Sequence, residues 1–220
     1  KNLEIKNLSY SFNNKILFNN LNLKIKSNQI YGVNGSSGSG KTTLFNLLIG
    51  FLEPKKGNIY IDGKSLNSIK DLWQNSLCYI PQDLYLLEDT IEKNITLSDD
   101  KSDKSKLNKS ITVSKLNTLI TSYSEKIKHV IKNQGIDLSG GQRQRIGIAR
   151  SIYMNRNIVF LDETTNALDS ITEHKILSQL RNSLKNKTIF VISHNKNLNK
   201  YVDKIITIKE KKVTIKDTRH

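Results

Sequence analysis

The sequence predicts an α/β fold with a mostly parallel sheet core, an antiparallel sheet beside it and a helical insertion. Three observations carry this. The apolar runs Ile158 to Leu161 and Thr188 to Ser193 flank an amphipathic stretch, Asp169 to Leu184. Alternation of that kind belongs to a parallel sheet covered by helices. At the start, strands follow one another with no helix between them. Residues from about 84 to 155 are helix-rich and interrupt the strand series.

In chain order, Leu3, Ile5 and Leu8 open an apolar pattern, and Leu21, Leu23 and Ile25 alternate with Asn22, Lys24 and Lys26. That period of two predicts a half-exposed strand. Ile30 to Val33 is a short strand running into a Gly-rich loop, and Thr42 to Phe51 reads as a buried helix. Asn58 to Ile61 is a strand ending in the turn Asp62-Gly63. Leu77 to Ile80 is a strand stopped by Pro81. Asp99 to Lys109, with few apolar residues, reads as a solvated loop or helix start. Ile111, Leu116, Leu119 and Ile120 predict one helix after it. Ser139 to Met154 is helical in period. The helix over 169–184 buries Ile176, Leu177, Leu180 and Leu184 on one face. Lys204 to Ile208 and Lys212 to Lys216 are closing strands. There is no internal repeat.

A chain of 220 residues is one sizeable domain, able to bury roughly 70% of its unfolded surface. No apolar run reaches the roughly 18 residues of a membrane span. Thirty-five basic against 20 acidic residues give a net charge of +15. Such a balance fits nucleic acid or an anionic membrane face. Here Lys and Asn are spread along the whole chain with no basic arm, which favours a coding bias. The lone Cys78 excludes an internal disulfide and fits a reducing compartment. No signal peptide opens the chain. It starts at Lys1 and its single Met is Met154, so it is expected to be a segment of a longer polypeptide.

Gly35-Ser36-Ser37-Gly38-Ser39-Gly40-Lys41-Thr42 satisfies G-x-x-x-x-G-K-[ST] between a strand and a helix. Glycines let the backbone wrap a phosphate with several N–H groups inward, and the helix adds its positive end. Lys41 reaches the β- and γ-phosphates, and the Thr42 hydroxyl binds Mg²⁺. Four apolar residues then precede Asp162-Glu163 at a strand end. Asp162 is placed to hold Mg²⁺ through water, and Glu163 to polarise the attacking water. His194 follows the next strand, where it can donate to the γ-phosphate or hold Glu163 and the water. Gln82, after Pro81, can contact Mg²⁺ or water. Leu138-Ser139-Gly140-Gly141-Gln142 opens a helix, so the Ser139 hydroxyl and free N–H groups make a second anion site. One nucleotide in one domain has no use for two such sites. The solution is a two-fold pair, each Ser-Gly-Gly segment facing its partner's phosphate loop.

These motifs, with Tyr79 to Asp83, Gln142 to Arg150, Ala167-Leu168-Asp169 and Ser193-His194 in the same order and spacing, resemble the nucleotide-binding domain of ABC transporters of the exporter type. The run Gly135 to Tyr153 most resembles bacterial lipid and saccharide exporters. The resemblance implies a RecA-like P-loop NTPase fold in a single domain over residues 1–220. Its core and antiparallel β-subdomain would take about 1–83 and 156–220, and its helical subdomain about 84–155. It implies Mg-dependent hydrolysis of ATP at two composite sites in a homodimer or pseudo-symmetric dimer, with Thr43 beside Thr42 among the nucleotide-binding residues. Asp169 would lie in the loop that crosses the dimer interface. Phe12 would stack on adenine, with Tyr10 the alternative. Thr90 to Ile95 would receive a coupling helix of a membrane domain, expected N-terminal in the same polypeptide, at the cytoplasmic face of the cell membrane. Asn133, Asn166 and Asn195 depart from the family's usual Glu, Ser and Arg, and no Gly separates the last two strands. None of these changes removes a catalytic group. An importer ATPase subunit, or a soluble ABC ATPase acting on ribosomes or nucleic acid, is the alternative. Against the first stand the missing start Met and the lack of an extra C-terminal domain. Against the second stands the absence of heptads between Lys41 and Asp162.

Overall fold

The computed structural model describes residues 2–13, 15–195 and 197–218; Lys1, the opening residue, lies outside them. The elements in chain order are β1 (Leu3–Phe12), β2 (Lys15–Ile25), β3 (Ile30–Gly35), α1 (Lys41–Ile49), β4 (Lys56–Ile61), β5 (Lys64–Ser65), α2 (Lys70–Asn75) and β6 (Leu77–Ile80). They continue with α3 (Ile91–Thr96), α4 (Lys104–Val113), α5 (Asn117–Thr121), α6 (Gly140–Met154), β7 (Ile158–Asp162), α7 (Ser170–Ser183), β8 (Thr188–Ile192), β9 (Lys204–Lys209) and β10 (Lys212–Asp217). The chain divides into two compact units. One holds residues 1–78, 157–160 and 186–220; the other holds 79–156 and 161–185.

In the first unit β1 pairs antiparallel with β2 and β4, in a sheet ordered β2-β1-β4-β5. Alternation in β2 puts Leu21, Leu23 and Ile25 inside and Asn22, Lys24 and Lys26 outside, as its period of two requires. The second sheet is ordered β10-β9-β3-β8-β7-β6, with β3 parallel to both β8 and β9. Its central strands β7 and β8 are buried at every position. That is why they read as unbroken apolar runs. The expected α/β class, parallel core and antiparallel sheet are all present.

An aromatic stack fixes α1 in this unit. The rings of Phe160 and Phe190 lie parallel at 4.6 Å, Tyr31 continues the stack on Phe190 at 5.3 Å, and Phe45 of α1 meets Phe160 edge-on at 5.0 Å. Offset and edge-to-face pairs of this kind add to the burial of the rings themselves. The far end of α1 is held by Trp73, whose indole N–H donates to the Leu48 carbonyl at 2.8 Å.

In the second unit, Leu86, Ile91, Ile95, Leu107, Ile111, Ile131, Leu138 and Ile146 form one apolar core. Buried Asn94 runs through it. Its amide donates to the carbonyls of Leu87, Asp89 and Thr90, and buried Arg150 of α6 donates to its carbonyl oxygen. The single helix expected around Ile111 to Ile120 is two. Lys115 takes φ 58, and the chain breaks between α4 and α5 while its apolar side chains still face the core. The two six-residue helices α2 and α3 were not expected.

The hairpin turns of β4–β5 and β9–β10 contrast. Asp62-Gly63 connects β4 to β5 with φ 48 and 82, the left-handed pair that a tight turn needs. Glu210-Lys211 connects β9 to β10 with φ 50 and 66 and has no glycine. A side chain in that region costs roughly 1–2 kcal/mol; glycine avoids this cost, and its own larger loss of chain entropy on folding cancels part of the gain. Lys211→Gly is therefore expected to raise unfolding stability by about 0.5–1 kcal/mol. Urea titration followed through Trp73 fluorescence measures it, and a loss of stability contradicts this view of the turn.

Candidate nucleotide site

The phosphate loop belongs to the first unit. β3 ends at Gly35, Gly38 and Gly40 take φ 70 and 100, and Gly40 is the N-cap of α1. The first N–H groups of any α-helix have no partner within it. Here they open onto the loop. Lys41 is buried, and its ammonium donates to the carbonyls of Gly35 (3.1 Å) and Ser36 (3.2 Å). A cation held by two neutral carbonyls inside its own loop suits an anion that would enter that loop. Thr42 is exposed and Thr43 half-buried. His194 follows β8 and lines a cavity of about 380 Å³ with Lys41, Asn34, Gly35 and Ser193. A second cavity of about 600 Å³ runs from Ser36 to Ser39 along Lys15 and Ile16 to the β9–β10 turn. Tyr10 is buried opposite Phe18, whereas Phe12 exposes 61% of its surface at the end of β1. Of the two aromatic candidates, Phe12 alone presents a free ring face.

The remaining candidates lie in the second unit. Asp162 ends β7 with 1% of its surface exposed, and the Tyr79 hydroxyl donates to its Oδ2 at 3.3 Å. Burial and the neighbouring carboxylate push the Tyr79 phenol well above its ordinary range, so it remains a donor. Gln82 is exposed after β6. Glu163 takes φ 51, and a turn follows it, closed by Asn166 N–H to the Glu163 carbonyl at 3.3 Å.

Ser139 is the N-cap of α6. Its hydroxyl accepts from the Gln142 N–H at 3.2 Å, while the Gln142 side-chain carbonyl accepts from the Ser139 N–H at 2.7 Å. This capping box satisfies two groups and leaves the Ser139 hydroxyl proton available. Leu138 is buried in the core of the unit. Gly141 has a second reason to be glycine. A Cβ there would stand 2.9 Å from the Ala167 carbonyl oxygen, so the turn after Glu163 packs directly on the start of α6. Asp169 caps α7, accepting from the Thr172 N–H at 2.9 Å. Hydrogen bonds from Thr172 hold its carboxyl below the usual range.

Three side chains were not singled out from the sequence. Tyr79 and Gln144 stand inside matching motifs, and Asn166 at a departure, but only side-chain geometry reveals what they hold. A cavity of about 700 Å³ between α3 and the start of α4 is lined by Glu92, Lys93, Asp99 and Lys128 and contains none of the candidate nucleotide-site residues. Motif geometry and not cavity size locates the candidate site.

Residues 18–166 match the family model described as ABC transporter. The chain belongs to the ABC transporter family. It is 34% identical over 211 residues to a putative export ATP-binding/permease protein of Rickettsia prowazekii, covering 94% of the chain and 36% of that protein. It is 31% identical to the ATP-dependent lipid A-core flippase of Desulfotalea psychrophila (97% of the chain, 37% of the flippase). It is 36% identical to the alpha-hemolysin translocation ATP-binding protein of Proteus vulgaris (93% and 29%). Among solved structures, a bacterial Atm1-family ABC exporter with ATP bound superposes with a TM-score of 0.90 at 26% identity, over 97% of this chain and 38% of that one. The ABC domain thus spans about a third of the length of these relatives. Among the described residues no helix is long and apolar enough to cross a membrane.

Removing the phenol hydroxyl beside buried Asp162 withdraws a charge-assisted hydrogen bond. Tyr79→Phe is expected to lower stability by about 1–3 kcal/mol in urea unfolding at pH 7. An unchanged midpoint and slope would show that the bond contributes nothing.

Proposed function

We propose that this chain is the ATP-binding and ATP-hydrolysing domain of an ABC exporter, acting as a head-to-tail dimer at the cytoplasmic face of a membrane. The membrane domain belongs to the same polypeptide in this reading, because the similar proteins are export, permease, flippase and translocation proteins about three times as long. The observation that carries it is the pairing of two phosphate-binding devices in one chain. Lys41 sits in a glycine loop at the start of α1, and Ser139 caps the start of α6 with its hydroxyl proton free.

The residues divide the work. Gly35 to Thr43 wrap the triphosphate with backbone N–H groups, and Lys41 exchanges its loop carbonyls for phosphate oxygens. Phe12 offers its exposed ring to the adenine. Thr42, Gln82 and Asp162 are all oxygen donors, the set a hard cation takes alongside substrate phosphates, so they are the residues that would hold Mg²⁺. When bound it would neutralise charge on the transferred phosphoryl group. Glu163 orients and polarises the attacking water, and His194 holds the γ-phosphate side. Leu138 to Gln142 of the partner copy supply the second half of the site, through the Ser139 hydroxyl and the N–H of Gly141. Asp169 lies in the loop facing the partner. Loss of the γ-phosphate removes the bridge between copies, and the pair loosens.

Glu163→Gln is expected to slow ATP turnover by roughly 10²–10⁴, the usual span for a general base, with ATP binding retained. Phosphate release under saturating ATP and Mg²⁺, beside a binding titration, checks both. Wild-type turnover would remove Glu163 from the reaction.

A further inference from the structure

We propose that Asn166 is a positioning residue for Glu163, donating a hydrogen bond that holds the carboxylate over a turn clamped by Gln144 of the Ser-Gly-Gly helix. The inference rests on the reading of Glu163 as the base. The Asn166 side-chain N–H donates to Glu163 Oε2 at 2.8 Å. An ionised carboxylate only accepts, so the amide must present its nitrogen. A charge-assisted bond of that length is among the stronger ones available to a side chain.

The turn itself is held at several points. The Gln144 amide of α6 donates from Nε2 to the Glu163 carbonyl at 3.1 Å and accepts at Oε1 from the Ala167 N–H at 2.9 Å, so one side chain spans both ends of the turn. The buried Thr165 hydroxyl donates to Glu173 of α7 at 2.7 Å. Glu163 keeps φ 51, a left-handed conformation uncommon for a residue with a side chain. Such a conformation persists only where the surroundings over-determine it. Rigid anchors at 163, 165 and 167 would be wasted on a base whose carboxylate swings freely. Asn166 removes that freedom from the exposed side, where it stands in place of the shorter Ser usual in the family. The route from α6 to Glu163 runs through Gln144 and the turn, so the helix that meets a partner's nucleotide also sets the base of its own copy.

The test is a series at position 166, read as kcat and KM for ATP and as ATP affinity by titration, with Glu163→Gln beside it. Asn and Asp serve almost interchangeably in turns, but Asp cannot donate to a carboxylate and repels it. Asn166→Asp is therefore expected to lower kcat by about 10²-fold, the scale of a misplaced catalytic group, and Asn166→Ala by about 10-fold. Asn166→Ser, which restores a donor, should stay within about 3-fold of wild type. KM and ATP affinity should move less than about 2-fold, and melting temperatures less than about 2 °C, below what 1 kcal/mol shifts in a chain of this size. If Asn166→Asp matches wild type while Glu163→Gln is slow, Asn166 only shapes the turn and the proposal fails. A fall in kcat that tracks a fall in melting temperature across the series would also overturn it. If Glu163→Gln turns over at the wild-type rate, the reading of the base fails, and the proposal with it.

Discussion

A loop that binds phosphate through its backbone has no side chains of its own to keep it in shape. Its geometry is borrowed from the helix it opens and the strand it closes. In this chain that support is the burial of α1 on the Phe45, Phe160, Phe190 and Tyr31 rings, with Trp73 holding the last carbonyls of the helix. The aromatic stack fixes where the first N–H groups of α1 point, and Lys41 packs back onto Gly35 and Ser36 from that base. Flexible glycines between Ser36 and Lys41 are tolerable only because both ends are immobile. Ring packing fixes positions to fractions of an ångström, which suits a cradle of N–H groups.

The second unit solves the complementary problem with polar clamps. The turn after Glu163 approaches the start of α6 through glycine, and Gln144 ties the two together. Asp169 closes the turn by capping α7. The segment from Glu163 to Asp169 is therefore anchored to two helices. Through Gln144 and Asn166, hydrogen bonds run from α6 to Glu163 within one chain. Asn94 and Arg150 tie the other end of α6 to the carbonyls of Leu87, Asp89 and Thr90, and Asn94 itself stands in Thr90 to Ile95, the stretch that the family resemblance expects to receive a coupling helix. The helix is thus held by polar contacts at both ends, buried at the Arg150 end and more exposed at the Ser139 end.

Much of this was legible in the sequence. Gly35 to Thr42 and Leu138 to Gln142 are local, since residue type and spacing alone dictate which N–H groups and hydroxyls gather. The strands at 158–162 and 188–192 announced themselves because burial on both faces leaves no polar position. Other features were not legible. The break at Lys115 leaves the apolar period intact, so Ile111 to Ile120 read as one helix until the backbone showed φ 58. Helices α2 and α3 are under two turns long and have no period to detect. The grip of Asn166 on Glu163, and of Tyr79 on Asp162, depends on rotamers and on chain reversals that spacing does not encode. Asn166 was visible only as a departure from the family pattern. The structure gives that departure a partner.

The central claim is that ATP is held between two copies of this chain, by the phosphate loop of one and the Ser-Gly-Gly helix start of the other. Size-exclusion chromatography with light scattering on the Glu163→Gln chain, with and without ATP and Mg²⁺, tests it most directly. The account predicts a monomer without nucleotide, a dimer with it, and a return to monomer when Ser139→Arg is added. A chain that stays monomeric while saturated with ATP, or a dimer indifferent to Ser139→Arg, would contradict it.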